Sequence, residues 1–283
     1  MTQTLPVTLL VTSAILWGLS WWPLKYFTAQ GIDGPPLIAV AYGVAAVVLL
    51  PWLWYERRRY LGERRLALLM VLLGGYANLA FAEAMILGEV VRAMMLFYLA
   101  PVWGVLGGRV FLGEHIDAQR ALGVVLALTG AFLVLGAWDV LVTRPTPVDL
   151  LAITAGMAFA LNNVATRAAQ RIPTATKSGL VFAGCTIMAL LLMGVQAMPM
   201  PVVPASDLAL LVGFGLGGLL LATLLTQWAV TRLEAGRASI ILITELLVAV
   251  ISATLMGGET LGSNELAGGT LIFAAALIEA RRA

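Results

Sequence analysis

This chain has almost nothing with which to do covalent or metal chemistry. Among 283 residues it holds one cysteine, Cys185, and one histidine, His115. A lone thiol excludes an intrachain disulfide and any cysteine-based metal cluster. A lone imidazole, set in a short Gly-Glu-His-Ile-Asp connection and expected to be solvated, leaves metalloenzyme and Ser-His-Asp readings very little to stand on. No ATP-binding motif occurs, and no metal or cofactor is expected. Charge is scarce as well. Charged residues make up 11%, against roughly 25% in a soluble domain. The net charge of +2 gives no reason to expect nucleic acid as a partner. What is present is apolar: 61% of the residues, with a mean hydropathy of +0.96. No water-soluble core of this size hides so much apolar surface, so a lipid bilayer must cover it.

The first apolar run, Thr8 to Phe27, has no basic segment before it and carries three Trp, which suits a retained span rather than a cleaved signal. Segments of about 20 residues are needed to cross the hydrocarbon. On that criterion ten spans are expected, at 8–28, 35–54, 65–87, 91–112, 118–137, 148–169, 176–196, 207–231, 237–257 and 263–280. Gly31-Ile32-Asp33-Gly34-Pro35-Pro36, Arg144-Pro145-Thr146-Pro147 and Met198-Pro199 to Pro204 punctuate them. Asp117, Asp149 and Asp207 sit at span starts, where a carboxylate caps orphan amides.

Lys and Arg in short loops set the direction. With a cytoplasmic N-terminus, the inner side holds Arg57, Arg58, Arg59, Arg64, Arg65, Arg109, Arg120, Arg167, Arg171, Lys177, Arg232, Arg237, Arg281 and Arg282, and the outer side keeps Lys25, Arg92 and Arg144. Both termini are therefore expected inside.

The chain also repeats itself. Glu89, Arg92, Ala93, Leu99, Leu106, Gly113, Glu114 and Gly123 recur as Glu234, Arg237, Ala238, Thr244, Ile251, Gly258, Glu259 and Gly268, at a constant offset of 145. An offset near half the length points to a duplicated unit, expected at 1–140 and 141–283. Five spans per copy put the second copy upside down relative to the first. The expected fold is all-α: ten transmembrane helices as two inverted five-helix repeats. Inverted copies that exchange shapes turn an inward cavity outward, which is alternating access.

Polar residues on one helix face in lipid should point inward. Span one offers Ser13, Trp17, Ser20, Trp21 and Leu24; span six offers Phe159, Asn162, Asn163 and Thr166. Span three contributes Tyr76, Leu79 and Glu83, and span four Met94, Met95, Tyr98 and Pro101. Span eight has Thr223, Thr226 and Gln227, and span nine Thr244, Glu245, Val248 and Ser252. Glu245 lies roughly 12 Å inside span nine at about 1.5 Å per residue. An ionisable group at that depth is a functional-site hypothesis by default; it can meet a substrate ammonium, carry a proton, or bond a neighbouring helix. Glu83, nearer a span end, reads as a gate or snorkelling contact. Arg92 and Arg237 read as interfacial anchors, and Glu114 and Glu259 as acceptors for adjacent loop amides. Pro23 and Pro101 interrupt spans one and four and can supply kinks. The pairs Gly104/Gly108 and Gly213/Gly217 have GxxxG spacing, read as close packing within one molecule rather than as dimerisation. Spans two, five, seven and ten are largely apolar and read as scaffold.

Trp17-Gly18 in an Ala-rich first span, the run Arg92-Ala93 to Pro101, the Leu112-Gly113-Glu114 turn and Gly123 resemble the drug/metabolite transporter superfamily, in its EamA-type branch. Within it, Glu89 to Pro101 together with Tyr76 and Asn78 resembles the YddG-type exporters of aromatic amino acids. The resemblance implies export of aromatic and other large neutral amino acids, without enzymatic activity, from a bacterial inner membrane. It is driven by an ion gradient or runs as facilitated diffusion. Trp17, Tyr76 and Tyr98 offer flat faces to a ring. Asn162, Asn163, Gln227 and Thr244 can bond zwitterionic ends, with Glu245 opposite the ammonium; a monomer is expected. The alternative is a carrier for nucleotide sugars or phosphorylated metabolites, which would need mid-membrane Lys or Arg. One departure stands out: the branch commonly has Pro after the acidic position of span nine, where this chain has Leu246, so the bend of span nine is expected to differ from that of span four.

Overall fold

The computed structural model describes residues 4–32, 34–87, 90–136, 138, 142, 144–257 and 262–281. Asp33, Glu89, Gly258, Glu259 and Arg282 lie outside the described residues. Every regular element among those described is a helix, the form that satisfies its own backbone in lipid. Among the described residues, nine segments are long and apolar enough to cross a membrane: Thr4–Ala29, Gly34–Tyr55, Arg64–Met85, Arg92–Leu112, Ala118–Leu135, Pro147–Ala168, Thr174–Gln196, Ala205–Val230 and Ala235–Met256. These are spans one to nine, so the expected ten is met for nine. The last helix, Ser263–Ala280, stands where the tenth was expected, and Asn264, Glu265 and Glu279 dilute its apolar character. It packs along span five at backbone contact, where a Cβ on Gly130 would lie 2.6 Å from the Gly268 carbonyl oxygen.

Span seven lies along span two, and the last helix along span five. The remaining six spans pack on one another: one on eight and nine, six on three and four, nine on four. The two scaffold pairs are thus the ones with few polar side chains to place. Tyr42, Leu49, Phe182 and Cys185 fill the two–seven core.

Three of the six central spans are broken near their middles. Span one is helical over Thr4–Gly18 and again over Trp21–Ala29. Pro23 has no amide to give the Leu19 carbonyl; that oxygen takes the Trp22 N–H at 3.3 Å instead. Span four breaks between Val90–Phe97 and Ala100–Leu112. Pro101 releases the Phe97 carbonyl, which lies against Gly156 of span six; a Cβ there would stand 2.4 Å from it. Span nine breaks between Ala235–Leu242 and Thr244–Gly257. The expected difference from span four does not appear in the register: Ile243 and Thr244 stand 145 positions after Tyr98 and Leu99. With Leu246 in place of Pro, the Thr244 hydroxyl donates to the Ile241 carbonyl at 2.8 Å, and Leu246 N–H closes a tight turn on Ile243 at 3.1 Å.

Spans three and eight each contain a π-helical stretch, Met70–Gly74 and Phe214–Leu220. The two starts are 144 residues apart, so the irregularity follows the repeat. Such turns leave backbone groups to be satisfied from outside the helix and are frequent at functional sites. In span three, the Gly74 carbonyl accepts from Asn78 Nδ2 at 2.8 Å and from the Cys185 thiol at 3.6 Å. Span seven comes so close that a Cβ on Gly184 would sit 2.1 Å from the Val71 carbonyl oxygen. Gly184→Ala should therefore destabilise the protein by about 1–3 kcal/mol, the usual cost of overpacking. A detergent-phase melting curve with an unchanged midpoint would contradict that close approach.

Candidate functional site

The breaks of spans four and nine meet. The Tyr98 hydroxyl donates to Glu245 Oε1 at 3.0 Å. Tyr98 sits in the turn between the halves of span four, and Glu245 in the first turn of the second half of span nine. Span one joins them, because Gly18 has no side chain: a Cβ there would lie 2.5 Å from the Glu245 carbonyl oxygen. Glu245 is half-buried, and Tyr98 is 7% exposed. A cluster of rings adjoins Tyr98. Phe97 lies 4.3 Å from Phe81, 5.6 Å from Phe159 and 5.8 Å from Tyr98, centroid to centroid. Half-buried Trp17 adds an indole next to Gly18, and its carbonyl accepts the Ser20 hydroxyl at 2.6 Å.

The molecule differs on the two sides of this cluster. Towards the ends of spans one, three and nine that follow it, and the starts of spans four and six, several side chains are partly exposed, although Ala84, Ala93 and Ala152 are buried there and Arg92 pairs with Asp149. Tyr76 is 36% exposed, with its hydroxyl 2.8 Å from Thr154 Oγ1, and Met94, Met95, Trp21 and Val248 are half-exposed. Trp21 Nε1 donates to Ser252 Oγ at 2.8 Å. On the other side the same bundle is shut. Leu10, Ser13, Thr166, Ala229 and Ile241 are wholly buried. Ser13 Oγ donates to the Ala222 carbonyl at 2.9 Å and also contacts Thr226 Oγ1. The Thr166 hydroxyl donates to Gln227 Oε1 at 2.7 Å. Lys177, wholly buried, donates to the Thr166 carbonyl and to Thr231 Oγ1, each at 2.7 Å.

The profile of the EamA-like transporter family matches residues 4–136 and again residues 146–279. The chain belongs to the EamA-like transporter family. It is therefore a multi-pass membrane transporter of solutes. No curated protein sequence matches it. A crystal structure of another protein superposes with a TM-score of 0.80 at 18% identity, over 96% of this chain and 95% of that one, which shows a shared fold.

In this EamA-like transporter the residues nominated from sequence fall into two groups. Trp17, Tyr98, Thr244 and Glu245 gather at the span breaks, with Tyr76 on the open side. Asn162, Asn163 and Gln227 are buried on the closed side, exposed by 4%, 1% and 3%. Among the described residues, Asn162 Oδ1 and Asn163 Nδ2 are buried without a hydrogen-bond partner. Gln227 is already engaged by Thr166. Asn78 is engaged on both sides, accepting from the Tyr42 hydroxyl at 2.7 Å and donating to Gly74, so it holds the π-turn of span three. The Thr244 hydroxyl is spent on its own helix. Glu83 is half-buried towards the open end of span three.

Several end groups act differently from expectation. Glu114 accepts not from adjacent loop amides but from Ala235 N–H at 2.7 Å and Gly236 N–H at 3.2 Å, capping span nine from the other half. Asp149 does cap as expected, taking the Thr146 N–H at 2.6 Å in a capping box, and in addition it takes both Nε and Nη2 of Arg92, at 2.5 and 2.7 Å. Asp207 accepts the Tyr26 hydroxyl at 2.8 Å. Asp117 caps as expected, through Arg120 N–H at 2.8 Å. Gly104 and Gly108 pack inside the chain, against Ser239 and Glu114, while Gly213 and Gly217 touch no neighbour. Sequence reasoning missed Phe81, Phe97 and Lys177. The phenylalanines carry no polar signal, and Lys177 looked like one more loop charge.

Proposed function

We propose that this transporter exports aromatic and other large neutral amino acids from the bacterial cytoplasm by alternating access, as a facilitator or an ion-coupled carrier. The observation that carries the reading is the Tyr98–Glu245 hydrogen bond beside a cluster of aromatic rings. A carboxylate deep in a span is costly unless something answers it. Here a neutral phenol answers it, and a primary ammonium would answer it better. Phe81, Phe97, Phe159, Tyr98 and Trp17 supply apolar faces for the rest of the molecule. The unpartnered amide atoms of Asn162 and Asn163 stand ready for the polar end of a ligand when the neighbouring closed side loosens. A carboxylate at this place repels phosphate, which sets carriers of phosphorylated metabolites second.

The architecture taken for this cycle is ten spans in two inverted repeats, 1–140 and 141–283, with both termini cytoplasmic. In that orientation the closed side faces the cytoplasm and the open side faces outward. Apolar walls discriminate weakly between side chains, about 1–3 kcal/mol per methylene, so specificity should be broad. Reconstituted protein should move labelled phenylalanine, methionine and threonine down their gradients. Liposomes that move none of the three would end the proposal.

A further inference from the structure

Arg120 is a guanidinium with almost no access to solvent, 1% exposed, at the closed end of the molecule. Three carboxylates surround it: Glu234 accepts from Nη2, Glu114 Oε2 lies 3.7 Å from Nη1, and Glu279 Oε1 lies 3.7 Å from Nε. The His115 carbonyl takes Nη1 at 3.3 Å. The arginine belongs to span five and Glu114 to the end of span four; Glu234 opens span nine, and Glu279 ends the last helix. The ion pairs with Glu234 and Glu279, and the Glu114 cap on span nine, therefore join the first half of the chain to the second. Arg237 reinforces the same end by donating from Nη2 to the Ala280 carbonyl at 2.9 Å.

The repeat shows what happens to this device at the other end. The residue 145 positions after Arg120 is Glu265. Both are third residues of their helices, Ala118–Leu135 and Ser263–Ala280. At the start of span five the cap is Asp117, whose carboxylate takes the Arg120 amide and leaves the arginine side chain free to reach inward. At the start of the last helix the cap is Gly262, which has no side chain, and the Glu265 carboxylate folds back beside it, 2.5 Å from where a Gly262 Cβ would be. Glu265 makes no ion pair among the described residues. It lines a cavity of about 320 Å³ with Leu247, Val250, Leu266 and Phe273. One position of the repeat thus gives an ionic cluster around a buried arginine at one end and, at the other, an acid beside an apolar groove on the outer face of span five, span nine and the last helix.

We propose that the Arg120 cluster is a latch that sets the resting state of the transporter, holding the Arg120 end shut with a buried guanidinium and its three carboxylates, where the opposite end joins the two halves through the Arg92–Asp149 pair. The latch rests on the alternating-access reading but not on the identity of the cargo. Glu234 and Glu279 are charges that the buried guanidinium must lose before the halves part, and removing one of them shifts a two-state equilibrium by its differential energy.

Spin labels at positions 115 and 232, introduced as His115→Cys and Arg232→Cys in a Cys185→Ala background, report the separation of the halves at the closed end. Both positions are exposed. In full-length protein in nanodiscs, without substrate, the long-distance population should rise about tenfold in Arg120→Gln, and by a smaller factor in Glu234→Gln, whose side chain is 46% exposed. Glu265→Gln should leave it unmoved. If Arg120→Gln fails to fold, Glu234→Gln decides. Distance distributions unchanged in folded variants overturn the latch, as does an equal response to Glu265→Gln. Opening without amino-acid flux in the parent protein would leave the latch standing and sink the proposed cargo; flux with an unmoved distance would do the reverse.

Discussion

Glu245→Gln is expected to raise the half-saturating concentration of phenylalanine in reconstituted counterflow by about tenfold to a hundredfold. The substitution keeps size and shape and leaves an oxygen for the Tyr98 hydroxyl, so the fold should hold. What it removes is the charge. A hydrogen bond to a charged group is worth about 1.5–3 kcal/mol, and 1.4 kcal/mol is a factor of about ten. Tyr98→Phe separates the two roles: it deletes the phenol that occupies Glu245 in the empty protein and leaves the carboxylate in place. It should change affinity much less than Glu245→Gln. Equal affinities in wild type and Glu245→Gln would remove the carboxylate from the binding role. Coupling is tested on the same variant. If pH-gradient-driven accumulation is lost while counterflow persists at saturating substrate, Glu245 carries the proton; if accumulation is unchanged, it does not, and Glu83 becomes the acid to test.

Gly156→Val should both destabilise the protein and abolish transport. The glycine lets the Phe97 carbonyl, released by Pro101, rest against span six. A branched side chain there meets backbone on a broken helix, not the far end of a flexible side chain. Overpacking by one residue costs about 1–3 kcal/mol when side chains can shift, and here the obstacle is an oxygen at 2.4 Å from the first added atom. The expected result is a lowered melting temperature together with lost transport, since Phe97 carries the ring that packs against Phe81 and Phe159. A stable, fully active Gly156→Val protein would show that spans four and six do not rest on each other in the working state.

The spans and their order were readable from composition, because about 20 apolar residues admit few other fates in lipid. So were the breaks at Pro23 and Pro101, where a missing amide leaves a carbonyl to be satisfied. The break in span nine was not readable from Leu246, which has an amide to give and yet turns it to the Ile243 carbonyl. The π-turns left no local signature apart from glycines. Glu245 stood out because a lone acid in an apolar run is conspicuous. Asn78 and Gln227 stood out for the same reason and turned out to be tied to Tyr42, Gly74 and Thr166. Polarity marks a side chain that faces inward; it does not say whether a neighbour or a ligand meets it. Arg120, Lys177 and Arg237 were read as loop charges marking one side of the membrane, yet all three are buried among partners, because the start of a span is where a long cation can reach the core of the bundle.

The bond from Tyr98 to Glu245 also bears on the half of the cycle in which nothing is carried. A binding-site carboxylate left bare would hold an empty carrier still until cargo arrived, and such a carrier only swaps one molecule for another. Here the phenol is a resident stand-in for the ammonium, so the unloaded site is already satisfied. On the proposed reading, the empty protein returns on its own, and cells carrying it empty themselves of surplus amino acid instead of trading it one for one.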